Sequence, residues 1–168
     1  MRRVVFAVLV GGIAVGGLAA PAALAQSRAA ITITCDVSGT AHINPGLLFT
    51  SQQETLTASG SLTNCTTNPS ISGWTGTFVA RASGTMSCTS GSASGGARIT
   101  WFQNGTQKAS STLAINLTVS PPSLTGTVVQ GLAKGEHLTS NISLTPTSGN
   151  CLTNPVTSAN LSGSATIS

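Results

Sequence analysis

Ile31-Thr32-Ile33-Thr34-Cys35-Asp36-Val37-Ser38-Gly39-Thr40-Ala41-His42-Ile43 places apolar or small residues at odd positions and polar ones at even positions. A period of two is the mark of a strand with one dry and one wet face. The stretch predicts one long strand, or two with a bend near Gly39, ended by the turn Asn44-Pro45-Gly46. Leu47, Leu48 and Phe49 then tuck a connection onto the core.

The alternation recurs along the rest of the chain. It continues through Leu56, Ala58, Gly60 and Leu62, and then through Trp74, Gly76, Phe78, Ala80, Ala82, Gly84, Met86 and Cys88. The glycine-rich run 91–96 reads as a flexible hinge. Ala97, Ile99 and Trp101 lead into Asn104-Gly105, a strong hairpin signal. Leu113, Ile115, Leu117 and Val119 return, and Pro121-Pro122 stops them, because proline cannot donate to a ladder. Leu124, Gly126 and Val128 follow. Leu138, Ile142 and Leu144 come next, with Ser140 breaking the apolar face, and Ala159, Leu161, Gly163, Ala165 and Ile167 close the chain.

No window combines helical spacing with caps, and a Ser/Thr/Gly-rich chain is poor helix material. The fold class is therefore all-β. The expected architecture is an antiparallel β-sandwich of about ten strands with two disulfides, and a partly closed β-barrel is the rival. The dry faces are rich in Ala and Gly, which let sheets approach closely but bury little area.

Residues 1–25 read as an export signal: Arg2 and Arg3, an apolar run from 4 to 20, and Ala23-Leu24-Ala25 as the cleavage site before Gln26. Residues 26–168 then form a single domain, with two related halves at 29–84 and 85–168 as its internal organisation. The halves are suggested by Ser61-Leu62-Thr63-Asn64-Cys65-Thr66-Thr67-Asn68-Pro69, which resembles Ser143-Leu144-Thr145 followed by Gly149-Asn150-Cys151-Leu152-Thr153-Asn154-Pro155.

Cys35, Cys65, Cys88 and Cys151 form an even set in an exported chain, which predicts two disulfides. Pairing within each half joins Cys35 to Cys65 and Cys88 to Cys151. The competitor joins the two inward strand cysteines, Cys35 and Cys88, and leaves Cys65 with Cys151. No Cys-x-x-Cys pair exists, so neither a thiolate zinc site nor redox catalysis is indicated.

Of the seven bases, Arg2 and Arg3 lie in the signal, and Arg28, Arg81, Arg98, Lys108 and Lys134 are scattered singly. Nucleic acid is not an expected partner, since phosphate binding needs clustered bases. No apolar segment after the signal is long enough to be a helical span, so no membrane association is expected after cleavage. Ser and Thr number 23 and 25, all beyond residue 25, and they furnish the wet faces.

Asp36, Glu54 and Glu136 are the only acids, and His42 and His137 the only histidines. A hydrolase would have to assemble a Glu/His site from distant loops, because no nucleophile elbow or paired carboxylates are present. No metal or cofactor motif occurs. Trp74, Trp101 and Phe102 are the candidate binding surface, since aromatic side chains stack on sugars and anchor interfaces. Trp74 and Trp101 fall on the apolar phase, which predicts burial. Phe102 falls off it.

The run Thr34-Cys35, Gly39-Thr40-Ala41, the later Ser94-Gly95-Gly96-Ala97 with Ile99-Thr100-Trp101, Asn104-Gly105-Thr106 and Thr147-Ser148-Gly149-Asn150-Cys151 are similar to small secreted actinobacterial β-rich proteins of unassigned function. The resemblance covers most of the chain after the signal. It implies the same all-β fold and no residue-specific active site.

The expected function is an exported, non-enzymatic module, extracellular or at the cell surface. It would bind a partner protein or wall polymer, or associate with itself. An atypical secreted hydrolase is the alternative.

Overall fold

Alternation at period two dictates that each strand here has one face to hide, and the chain hides all of them in one interior. The computed structural model describes residues 31–168; the signal expected at 1–25 and its cleavage site lie outside the described residues. Eight strands follow in order: β1 (Thr32–Leu47), β2 (Gln52–Asn68), β3 (Trp74–Met86), β4 (Ser92–Gln103), β5 (Thr106–Thr118), β6 (Ser123–Gly131), β7 (His137–Ser148) and β8 (Val156–Ile167). Each pairs antiparallel with the next, and β8 returns to β1, so the ring of hydrogen bonds is closed in up-and-down order. The all-β antiparallel class and the two disulfides are as expected. The strand number is eight rather than about ten.

The register reveals how the ring is sheared. Starting at Asn44, the paired residues run Thr55, Ser83, Ser94, Asn116, Thr125, Thr139 and Thr166, and the circuit returns to β1 at Thr34. The neighbouring layer runs from Ile43 through Leu56, Ala82, Gly95, Ile115, Gly126, Leu138 and Ile167 back to Ile33. Both circuits come back ten residues lower on β1, from Asn44 to Thr34 and from Ile43 to Ile33. Eight strands with that stagger tilt by about 40–45° to the ring axis. The outer circuit is hydroxyl and amide throughout, and the inner one is aliphatic or glycine. Sequence alternation has become an inside and an outside.

Of the two readings of 31–43 the long strand holds, with no bend at Gly39, while two other expectations need correction. β1 is not ended by Asn44-Pro45-Gly46 but runs on through it to Leu47. A Cβ at Gly39 would lie 2.3 Å from the Ser59 carbonyl oxygen, so the absent side chain lets β1 and β2 close up without breaking. Nor is 91–96 a hinge: β4 begins at Ser92 and includes Gly95 and Gly96. A Cβ on Gly95 would meet the Arg81 carbonyl at 2.0 Å, so this glycine too serves close approach rather than flexibility.

The cysteines pair as Cys35–Cys65 and Cys88–Cys151, the within-half arrangement. Their settings differ. Cys35–Cys65 joins the paired strands β1 and β2, whereas Cys88–Cys151 joins the β3–β4 loop to the β7–β8 loop. The two similar segments also sit differently: the first follows β2 to its end at Asn68, whereas the second begins in β7 at Ser143–Thr145 and carries its cysteine in the loop before β8.

Candidate functional site

The up-and-down order sends four loops to one end of the ring and three to the other. The first rim holds the loops after β1, β3, β5 and β7. The second rim holds the loops after β2, β4 and β6, together with Ser168. At the first rim the Leu48 carbonyl accepts from the Cys88 N–H at 2.8 Å, the Gly91 carbonyl accepts from Val119 N–H at 3.0 Å, and Cys88 is bonded to Cys151. All four loops are thereby gathered on the β3–β4 connection, and the rim is roofed. Met86, Ala93, Ile43 and Val156 are buried on these ends of their strands.

Glu54 is the unexpected member of that roof. It lies on the inward phase of β2 with 0% exposure. One carboxylate oxygen accepts from the Gly46 N–H at 2.9 Å and the other from Gln52 Nε2 at 2.8 Å. Gln52 Nε2 also donates to the Gly46 carbonyl at 2.9 Å. The three residues make a closed exchange of hydrogen bonds that pins the end of β1 to the start of β2.

At the second rim Trp74 and Trp101 meet edge to face, with ring centroids 6.1 Å apart and planes at 74°. Trp101 Nε1 donates to Ser111 Oγ at 2.9 Å, and Ser111 Oγ donates to the Leu132 carbonyl at 2.7 Å. The chain of bonds ties the indole to the β6–β7 turn. The Trp74 Nε1, also buried, has no hydrogen-bond partner among the described residues.

Between the roofed rim and the tryptophans lies a cavity of about 90 Å³ lined by residues from all eight strands. Its walls are almost wholly apolar. Ala58, Ala80, Ala82, Ala97 and Ala165 are among them, and their short side chains leave the space that Leu or Ile would fill. Among the described residues Ser140 brings the single hydroxyl of the wall, and it donates to the Leu124 carbonyl at 2.9 Å. An eight-stranded ring has an interior just wide enough to be filled by side chains or to hold one small ligand. The sequence carried the signal in its inward alanines, but there they read as allowing sheets to approach.

The sequence-predicted aromatic surface divides. Trp101 is 1% exposed and lines the cavity, and Trp74 is 9% exposed, so both belong to the interior, as their phase indicated. Phe102 is half-buried. The exposed large apolar side chains of the rim loops are instead Phe49, Ile71 and Leu152; Phe49, expected to tuck onto the core with Leu47 and Leu48, is turned outward.

The hydrolase candidates are not brought together. His42 is exposed on the outer face of β1, opposite Thr57 and Ser158, while Glu54 faces inward. Asp36, also outward, accepts from Asn64 Nδ2 at 2.8 Å. Glu136 and His137 sit at the second rim, where His137 exchanges backbone hydrogen bonds with Ser168. Among the described residues no three His, Cys, Asp or Glu side chains cluster as a metal site.

No family model matches the chain, and neither a curated protein nor a solved structure matches it.

Proposed function

We propose that this protein is an exported, non-enzymatic binding module that takes a small apolar molecule into the interior of its ring. The observation that carries the reading is the cavity: about 90 Å³ of space, apolar walls from every strand, and a roof held by a disulfide. An apolar cavity of this kind stays dry and gains by accepting an apolar guest. Two disulfides suit an oxidising location, and they support the secreted or cell-surface placement. The outer belt of Ser, Thr and Asn offers many weak hydrogen bonds to a wall polymer or partner protein, each worth about 1 kcal/mol net. That belt is the reverse of a lipid-facing band, which supports a module free of the membrane. A closed ring has no terminal strand to extend, so self-association takes second place to a partner of another kind. The separation of His42 from Glu54 favours binding over hydrolysis.

The test uses xenon and n-hexane as interior probes. Either should raise the melting temperature and alter the fluorescence of Trp101, whose ring forms part of the wall. An Ala80→Leu variant, which fills the space, should abolish both effects while remaining folded. If wild-type protein responds to neither probe, the interior-binding reading falls.

A further inference from the structure

Ser140 stands at a singular place. It interrupts the apolar phase of β7, it lines the cavity, and it marks the end of the β6–β7 pairing. β6 and β7 are in register only where 124–127 faces 137–140. Beyond Ser140, β7 continues to Ser148 with β8 alongside and no registered partner in β6. This seam is the shortest pairing in the ring, and the cavity residues beside it, Leu124, Ser140 and Leu144, are half-buried, as are Phe78, Ala80, Ala97 and Ala165 elsewhere on the wall.

The state of the Ser140 hydroxyl decides what it can recognise. Its proton is committed to the Leu124 carbonyl at 2.9 Å, a bond that closes the seam. A hydroxyl that donates in this way still has lone pairs and can accept. Trp101 adds no competing polar group, because its N–H is held by Ser111. Among the described residues no Lys or Arg lines the cavity, so a carboxylate inside would find neither a donor nor a counter-charge from them. The polar end of a guest must therefore be a neutral hydrogen-bond donor.

The shape decides the rest. On β2 the walls reach from Leu56 to Leu62, and on β1 from Ile33 to Ala41. At about 3.3 Å per residue and a tilt near 40–45°, the space is on the order of 15 Å long. Its volume is only about 90 Å³. A space so long and so small is narrow. It suits an unbranched chain and rejects a fused ring.

We propose that the interior binds a straight-chain primary alcohol, or the alcohol end of a longer chain, with its hydroxyl donating to Ser140 Oγ at the β6–β7 seam. The proposal rests on the interior-binding reading above and adds to it the head group and its position.

The experiment compares 1-hexanol, methyl pentyl ether, hexanoate and n-hexane on the wild-type protein by titration of Trp101 fluorescence. The alcohol should bind about fivefold more tightly than the isosteric ether, which cannot donate, and hexanoate should bind most weakly at pH 7. Lengthening the alcohol from hexanol to octanol should tighten binding about fourfold per methylene. Ser140→Ala should lower the alcohol to the level of the ether while leaving n-hexane unchanged. Ser140→Thr, which keeps a hydroxyl, should keep the preference. Equal binding of alcohol, ether and hexane would overturn the assignment of Ser140 and leave the cavity reading standing. Hexanoate binding tightest would overturn the neutral head group. Binding of none of the four would remove the interior site itself.

Discussion

Cys88 and Cys151 are bonded across the mouth of the ring: their loops follow β3 and β7, strands that stand half a circuit apart, yet their Cα atoms are 6.2 Å from each other. The other bond, Cys35–Cys65, lies between strands that are already paired residue by residue. One disulfide therefore closes a rim, and the other reinforces a ladder. The distinction gives the two bonds different consequences when they are lost.

Replacing both cysteines of each bridge with serine should separate these roles. For sequence separations of 63 and 30 residues, loop-closure entropy assigns about 4.3 and about 3.7 kcal/mol to Cys88–Cys151 and Cys35–Cys65. Urea unfolding should show both losses, with the first slightly larger. Hydrogen exchange should show the difference in kind. Without Cys88–Cys151 the amides of 87–91 and 149–155 should exchange faster while the strands keep most of their protection. Without Cys35–Cys65 those loops should keep their wild-type rates. Equal loop protection in both variants would mean that the roof does not depend on its staple.

Glu54 should behave as a structural residue. Glu54→Ala leaves the Gly46 N–H and one Gln52 donor without their acceptor in a buried place, at a cost of about 2–4 kcal/mol. Glu54→Gln should cost less, because one oxygen still accepts. Neither change should alter binding of n-hexane, since Glu54 is not part of the cavity wall. A Glu54→Ala protein with the wild-type urea midpoint would contradict the role assigned to the carboxylate.

Export makes its own prediction. Protein recovered from the culture medium should begin at Gln26, or a few residues later if Ala29 or Ala30 marks the cut, and should contain no free thiol. Full-length chain retaining Met1 in a membrane fraction would defeat the secreted reading.

Much of the architecture was legible because period two survives intact in the ring. Ile33, Val37, Ala41 and Ile43 are all buried, and Thr40 and His42 are exposed, as their phase requires. The glycines were less legible, since Gly95 read as part of a hinge and Gly39 left a bend open, when both are places where backbones touch. Glu54 was illegible for a related reason: its charge marks it as wet, and only the folded chain shows that Gly46 and Gln52 replace the water it loses. The pairing of Cys88 with Cys151 was legible from the similar segments, but its span across the mouth was not, because loops carry no period. The cavity needed the closed ring. Alanines that would let two sheets approach leave a space when the strands are held in a circle by their own hydrogen bonds.

The two tryptophans offer the sharpest comparison of a satisfied and an unsatisfied buried donor. They sit side by side, and replacing either with Phe removes similar bulk. The Trp101 N–H heads a buried relay through Ser111 to the Leu132 carbonyl, whereas the Trp74 N–H meets no acceptor. A buried donor without a partner costs about 1–3 kcal/mol, and Trp74→Phe recovers that cost while losing some contact area. Trp101→Phe recovers nothing and breaks the relay. Trp101→Phe should therefore be the more destabilising change, by about 2 kcal/mol in urea unfolding. Ser111→Ala should cost about 1 kcal/mol less in the Trp101→Phe background than in the wild type, because the two residues share one bond. Equal costs for the two tryptophan variants would mean that Trp74 also finds an acceptor in solution.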